Sequence, residues 1–169
     1  MDWGILAGMI ALPRSRSCFG CGMKNPLGLD LAPATDGSRV EIRFRFRPEY
    51  AGFRNTVHGG ILSTALDEVM AWVCGVAAHQ FAYCAELNVR FLRPVVPEED
   101  VLGVGELVEN RRGRLFSCRA ELLQAGVRCA EATGKYLPVD RSVTEALKQD
   151  FEEDPTAFFA TLKREGQGA

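Results

Sequence analysis

Residues 58–78 constrain this chain more than any other stretch. A glycine pair, Gly59 and Gly60, stands at the head. Leu62, Leu66, Val69, Val73 and Val76 follow at helical spacing. Ile61, Ala65, Met70, Trp72 and Ala77 make most of the remaining circumference apolar. A helix apolar nearly all round packs inside a core. Its length, and the charges of Asp67 and Glu68, read against a membrane span. One stripe breaks the apolar surface: Ser63 or Thr64, then Asp67, Ala71 and Cys74. A carboxylate inside a buried helix is costly unless it is hydrogen-bonded or has a chemical task.

The two ends of this helix suggest that task. The first amides of a helix lack intrahelical partners and carry the positive end of its dipole. Glycine at that end lets a substrate approach the backbone. Such a helix end therefore suits a carbonyl oxygen that turns negative under attack. Asp67 lies two turns further on, roughly 12 Å along the axis at the α-helical rise. One carbonyl cannot touch both groups of the same helix. If both act on one substrate, they come from two chains, paired with their helices antiparallel. Glu68, about 100° round the helix from Asp67, is the competing carboxylate and is expected to form a salt bridge elsewhere. His58 reads as a residue that fixes the loop by hydrogen bonds.

The flanks read as strands. Val40, Ile42, Phe44 and Phe46 alternate with Glu41, Arg43, Arg45 and Arg47, a half-buried antiparallel strand. Its arginines form a solvated face or attract phosphates. Leu87, Val89 and Phe91 alternate with Glu86, Asn88 and Arg90, and Pro94 and Pro97 end that strand. Residues 101–109, 115–124 and 127–139 predict three more strands, with turns at 112–114 and 124–126. One long apolar helix with strands on both sides predicts an antiparallel sheet wrapped on that helix, an α+β architecture.

Three stretches together resemble the hotdog-fold acyl-CoA thioesterases, in the branch related to the phenylacetyl-CoA pathway enzyme. They are His58-Gly59-Gly60 with the acid Asp67, the paired-cysteine run from Cys18 to Leu29, and the run from Glu86 to Pro94. The resemblance implies a hydrolase for an acyl-CoA substrate. Asp67 would be nucleophile or general base, and the Gly59 amide would polarise the thioester. It also implies a homodimer or a dimer of dimers with sites shared between chains. Relatives place a serine or threonine ten residues before the strand-ending proline; here that position is Cys84, a poorer group for positioning water. They also place an asparagine before His-Gly-Gly, and Asn55 stands nearby. His58, Gly60, Asn55, Asn88 and Arg90 are assigned to substrate contact. A hotdog protein that binds acyl thioesters without hydrolysis, or serves in assembly, is the alternative.

Composition limits other readings. A net charge of -2 offers no general basic field for nucleic acid. Six cysteines among 169 residues do not make a disulfide scaffold, and a reducing cytoplasm is the simplest compartment. Cys18 and Cys21 have the spacing of half a zinc site, but no second pair matches. They read as a structural turn with no metal, and no cofactor is expected. Neither a membrane nor a nucleic acid is expected as partner. Residues 1–17 form an N-terminal packing segment, with one amphipathic helix expected in the first twelve. Residues 18–140 form the thioesterase-like domain, and 141–169 a helical extension. There Ser142 and Glu145 have capping-box spacing, and Asp154-Pro155 opens a second helix that Phe158, Phe159 and Leu162 would dock.

Overall fold

Seven strands form one antiparallel sheet around a single long helix in this computed structural model, which describes residues 8–165 and side chains as far as Leu162. In chain order the elements are β1 (Ile10–Ala11), β2 (Pro33–Thr35), β3 (Arg39–Arg45), β4 (Ala51–Phe53), β5 (Thr56–Val57), α1 (Gly59–Ala78), β6 (Ala82–Phe91), β7 (Asp100–Asn110), β8 (Phe116–Gln124), β9 (Val127–Pro138), α2 (Arg141–Lys148) and α3 (Pro155–Glu165). The sheet runs β1-β2-β3-β7-β8-β9-β6, and β4 and β5 form a small hairpin ahead of α1. The five predicted strands all form, and Ala125 and Gly126, both with positive φ, close the tight β8–β9 turn.

α1 starts at the glycine pair and stops where His79 takes a left-handed conformation. By length and apolarity its twenty residues suffice to cross a membrane, contrary to the sequence expectation. The sheet supplies its surroundings instead. Leu62, Leu66, Val69, Met70 and Val73 are buried against strands that contribute Val40, Ile42, Phe116 and Leu122. The apolar circumference thus has a partner on nearly every side, the condition such a helix needs in water.

On β3, Val40, Ile42 and Phe44 face the core as the alternation requires. On the other face Glu41 is buried between Arg39, at 3.0 Å, and Arg43, at 3.6 Å. Arg45 pairs with Asp100. Just past the strand, Arg47 lies over the Tyr50 ring and donates to the Gly28 carbonyl at 3.0 Å. The protein itself engages these arginines. β6 is an edge strand exposed along most of its length, with Tyr83 at 57% and Phe91 at 54% exposure.

Two local expectations are corrected. Residues 1–7 of the expected N-terminal helix lie outside the described residues, and Ile10–Ala11 is a strand paired with Ala34 and Thr35. The cap of α2 is Asp140, not Ser142: Asp140 Oδ1 accepts from the Val143 amide at 2.9 Å and from the Ser142 hydroxyl at 2.7 Å. The carboxylate is the better acceptor for a helix N-terminus, so the helix begins at Arg141. α3 opens at Asp154-Pro155 as expected, and Phe159 is buried against Trp72 and Phe81.

Candidate active site

Asp67 sits half-buried on α1 and meets two side chains from the sheet. The Tyr136 hydroxyl donates to Asp67 Oδ1 at 2.7 Å. Tyr136 is fully buried on β9, and the pairing of β6 with β9 sets Cys84 directly opposite it. Cys84 precedes a register shift at Ala85, and its thiol lies beside both Asp67 and Tyr136. Burial, then the Asp67 charge, pushes that thiol up to about 11, so it is a neutral S–H near neutral pH. The same two causes hold the Tyr136 phenol far above the ordinary tyrosine range. Tyr136 is thus a proton-bearing donor, and the carboxylate is oriented by it.

At the head of α1, His58 is the N-cap. Its Nδ1 accepts the Gly60 amide at 2.9 Å, and its carbonyl accepts from Ile61 and Leu62. The Gly59 amide has no partner among the described residues. It borders a cleft of about 420 Å³ lined by Val57, His58, Leu62, Phe91 and Pro94. A Cβ on Gly59 would come within 3.1 Å of the Phe91 ring. A small planar group can reach this backbone because the residue is glycine. Ser63 and Thr64 donate their hydroxyls to the carbonyls of Gly59 and Gly60, so neither hydroxyl is directed at Asp67.

Other candidates lie apart. Asn55 is exposed in the β4–β5 turn with φ 58. Asn88 and Arg90 line a charged groove of about 570 Å³ with Arg119 and Thr133, and Arg90 pairs there with Glu131 at 2.7 Å. This is the outer face of the sheet; the intervening Val89 packs towards the core. Within one chain, then, Asp67 and Cys84 come together, His58, Gly59 and Gly60 form a second group, and Asn55, Asn88 and Arg90 join neither.

Residues 54–131, which carry α1 and the strands on both sides of it, match the family model of the Thioesterase superfamily. Among solved structures, the chain resembles a thioesterase superfamily protein at 25% identity and TM-score 0.61, over 68% of this chain and 56% of that one. The match thus spans little more than half of that relative. A conserved protein from Pseudomonas aeruginosa matches at 22% identity and TM-score 0.60, over 66% of this chain and 90% of that one. The PaaI protein of the E. coli phenylacetic acid degradation operon matches at 16% identity and TM-score 0.60, over 66% and 81%. These two likenesses establish the α+β hotdog fold. No curated protein sequence matches the chain.

Two features of this site escape a linear reading. Tyr136 reaches Asp67 from the last strand, and only the sheet register puts it there. Glu68 forms no salt bridge among the described residues, against expectation. It accepts from the Trp72 indole at 3.0 Å and faces the Cys18 thiol at 3.6 Å. Loss of hydration and the nearby Cys18 charge push Glu68 up to about 7. The adjacent Cys21 thiol, with backbone amides, brings Cys18 down to about 5, while Cys21 is pushed up.

Proposed function

We propose that the chain is an acyl-CoA thioesterase, a hydrolase that releases a free acid and coenzyme A. The carrying observation is an unpartnered Gly59 amide opening on an apolar cleft, two helical turns before a carboxylate that Tyr136 orients. The amide donates to the thioester oxygen and takes up charge as the carbonyl carbon becomes tetrahedral. Asp67 of the partner subunit either attacks that carbon or removes a proton from an attacking water. The coenzyme thiolate then leaves; where Asp67 itself attacked, water hydrolyses the resulting acyl–aspartate anhydride, releasing the free acid and restoring the carboxylate. The exposed edge strand β6 supports pairing between chains, because an open edge with apolar side chains is a template for a second sheet.

The test is thiol release over a panel of aliphatic and aromatic acyl-CoAs. Asp67→Asn, nearly isosteric but neither base nor nucleophile, is expected to lower turnover by about 100-fold or more with the fold intact. Near-wild-type turnover in Asp67→Asn, with loss in Glu68→Gln, would transfer the role to Glu68. Binding of acyl-CoA with no thiol released from any member of the panel would favour the non-hydrolytic alternative.

A further inference from the structure

Cys18, Cys21 and Glu68 bring one ligating atom each to a single point, all within 4.8 Å of one another. The sequence offered only half of a metal site here, and α1 supplies the third donor from fifty residues away. We propose that these three side chains bind a zinc-class divalent cation, with a fourth position open to a water. The proposal is independent of the hydrolytic reading.

The spacing agrees with a tetrahedral ion. Zn–S near 2.3 Å and Zn–O near 2.0 Å place a thiolate and a carboxylate oxygen roughly 3.5 Å apart at tetrahedral angles. Cys18 Sγ and Glu68 Oε2 are 3.6 Å apart. Two thiolates and one carboxylate are a donor set that suits zinc rather than calcium or magnesium, which take oxygen ligands.

The local sequence builds the site. A Cβ at residue 20 would lie 2.1 Å from Glu68 Oε2, so only glycine admits the carboxylate between the two cysteines. The Gly20 amide donates to Cys18 Sγ at 3.3 Å, and the Ser15 hydroxyl lies 3.9 Å from Cys21 Sγ. Trp72 Nε1 holds Glu68 Oε1, turning Oε2 toward the thiols. Supporting contacts of this kind orient metal ligands.

Nearby cations are engaged elsewhere. Arg14 pairs with Asp30 and donates to the Cys21 carbonyl, and Arg16 donates to the carbonyls of Gln149 and Phe151. Three acidic groups thus converge with no side-chain cation among their described partners, the arrangement a bound metal would neutralise. The fourth position faces a cleft of about 310 Å³ lined by Ala71, Trp72, Phe81 and Phe151.

The full chain, reduced and stripped with a chelator, would be titrated with Co²⁺ and then Zn²⁺. The expected result is one Co²⁺ per chain, with a thiolate-to-cobalt charge-transfer band and tetrahedral visible bands that Zn²⁺ abolishes. Cys18→Ser with Cys21→Ser should remove the charge-transfer band, and Cys129→Ala should keep it. Glu68→Gln should shift the visible bands and weaken Co²⁺ binding, and Trp72→Phe should weaken it by about 10- to 100-fold. No stoichiometric ion, or a band that survives the double cysteine change, overturns the proposal. Should the double variant not fold, Glu68→Gln decides: unchanged affinity and spectrum reject the three-ligand site.

Discussion

The Tyr136 hydroxyl and Asp67 Oδ1 lie 2.7 Å apart, joining the last strand of the sheet to the middle of its central helix. One donor fixes one carboxylate oxygen, Oδ1. Tyr136→Phe keeps the ring that fills the core and removes only the donor. A hydrogen bond to a charged group contributes about 1.5–3 kcal/mol. If it orients Asp67 in the transition state, its loss lowers kcat by roughly 10- to 100-fold. The expected kinetic pattern is a fall in kcat with little change in KM and an unchanged circular dichroism spectrum. An unaffected kcat would mean that Tyr136 does not position Asp67 in the working enzyme.

The cysteines should label in an order that exposure does not give. Cys84 is exposed, yet its thiol is pushed up to about 11. Cys18 is half-buried, yet its thiol is brought down to about 5. Thiolate is the reacting form. In metal-free, reduced protein near neutral pH, iodoacetamide should modify Cys18 first, and Cys84 should accelerate only as pH rises towards about 11. Peptide mass mapping reads the order; equal rates at neutral pH would contradict it. Cys84→Ser should keep or raise hydrolysis, because a hydroxyl donates and accepts better than a thiol.

Legibility in the sequence followed the range of each interaction. α1 was readable because its glycine pair, apolar surface and lone carboxylates are local features, and the β3 alternation is local too. Ser142 misled because its spacing to Glu145 is a cap pattern, while a stronger acceptor, Asp140, stands two residues earlier. Tyr136 was hidden because nothing in its own strand marks it; the signal is its pairing with Cys84, a property of register. Glu68 was misread as a salt bridge because its partners carry no positive charge: the Trp72 indole one turn on and the Cys18 thiol on a distant turn. One clue was available: a glycine between two cysteines, and no basic residue one turn away on α1. The outward facing of Asn88 and Arg90 follows from the β6 side-chain alternation once Val89 is known to face the core.

Acid should loosen the C-terminal helices ahead of the sheet. Asp154 is brought down to about 2 by Lys148 first, with help from Thr156. Asp140 is lowered by the Val143 amide and then by Ser142. A carboxylate with a depressed folded-state pKa stabilises fully above its unfolded value, and that contribution is lost as pH falls through the folded value. Hydrogen-exchange protection of α2 and α3 should therefore decline between about pH 4 and pH 2 while β7–β9 stay protected. Simultaneous loss across helices and sheet would show that these caps do not set the acid response.

The shared site is tested by subunit complementation. Gly59 and Asp67 stand roughly 12 Å apart on one helix, so a thioester that meets both takes one from each chain. An isologous dimer then holds two sites, each with Gly59 of one protomer and Asp67 of the other. Asp67→Asn alone spoils both sites, and so does Gly59→Val, whose Cβ would crowd the cleft beside Phe91. A hybrid of the two variants puts both defects in one site and leaves the other intact. After dissociation and random reassociation of equal amounts, half of the dimers are hybrids, so about a quarter of the wild-type sites should return. Recovery should follow the fraction of hybrids measured by native mass spectrometry of differently tagged chains. Full activity from a dilute monomer, or no recovery from hybrids that demonstrably form, rejects the composite site.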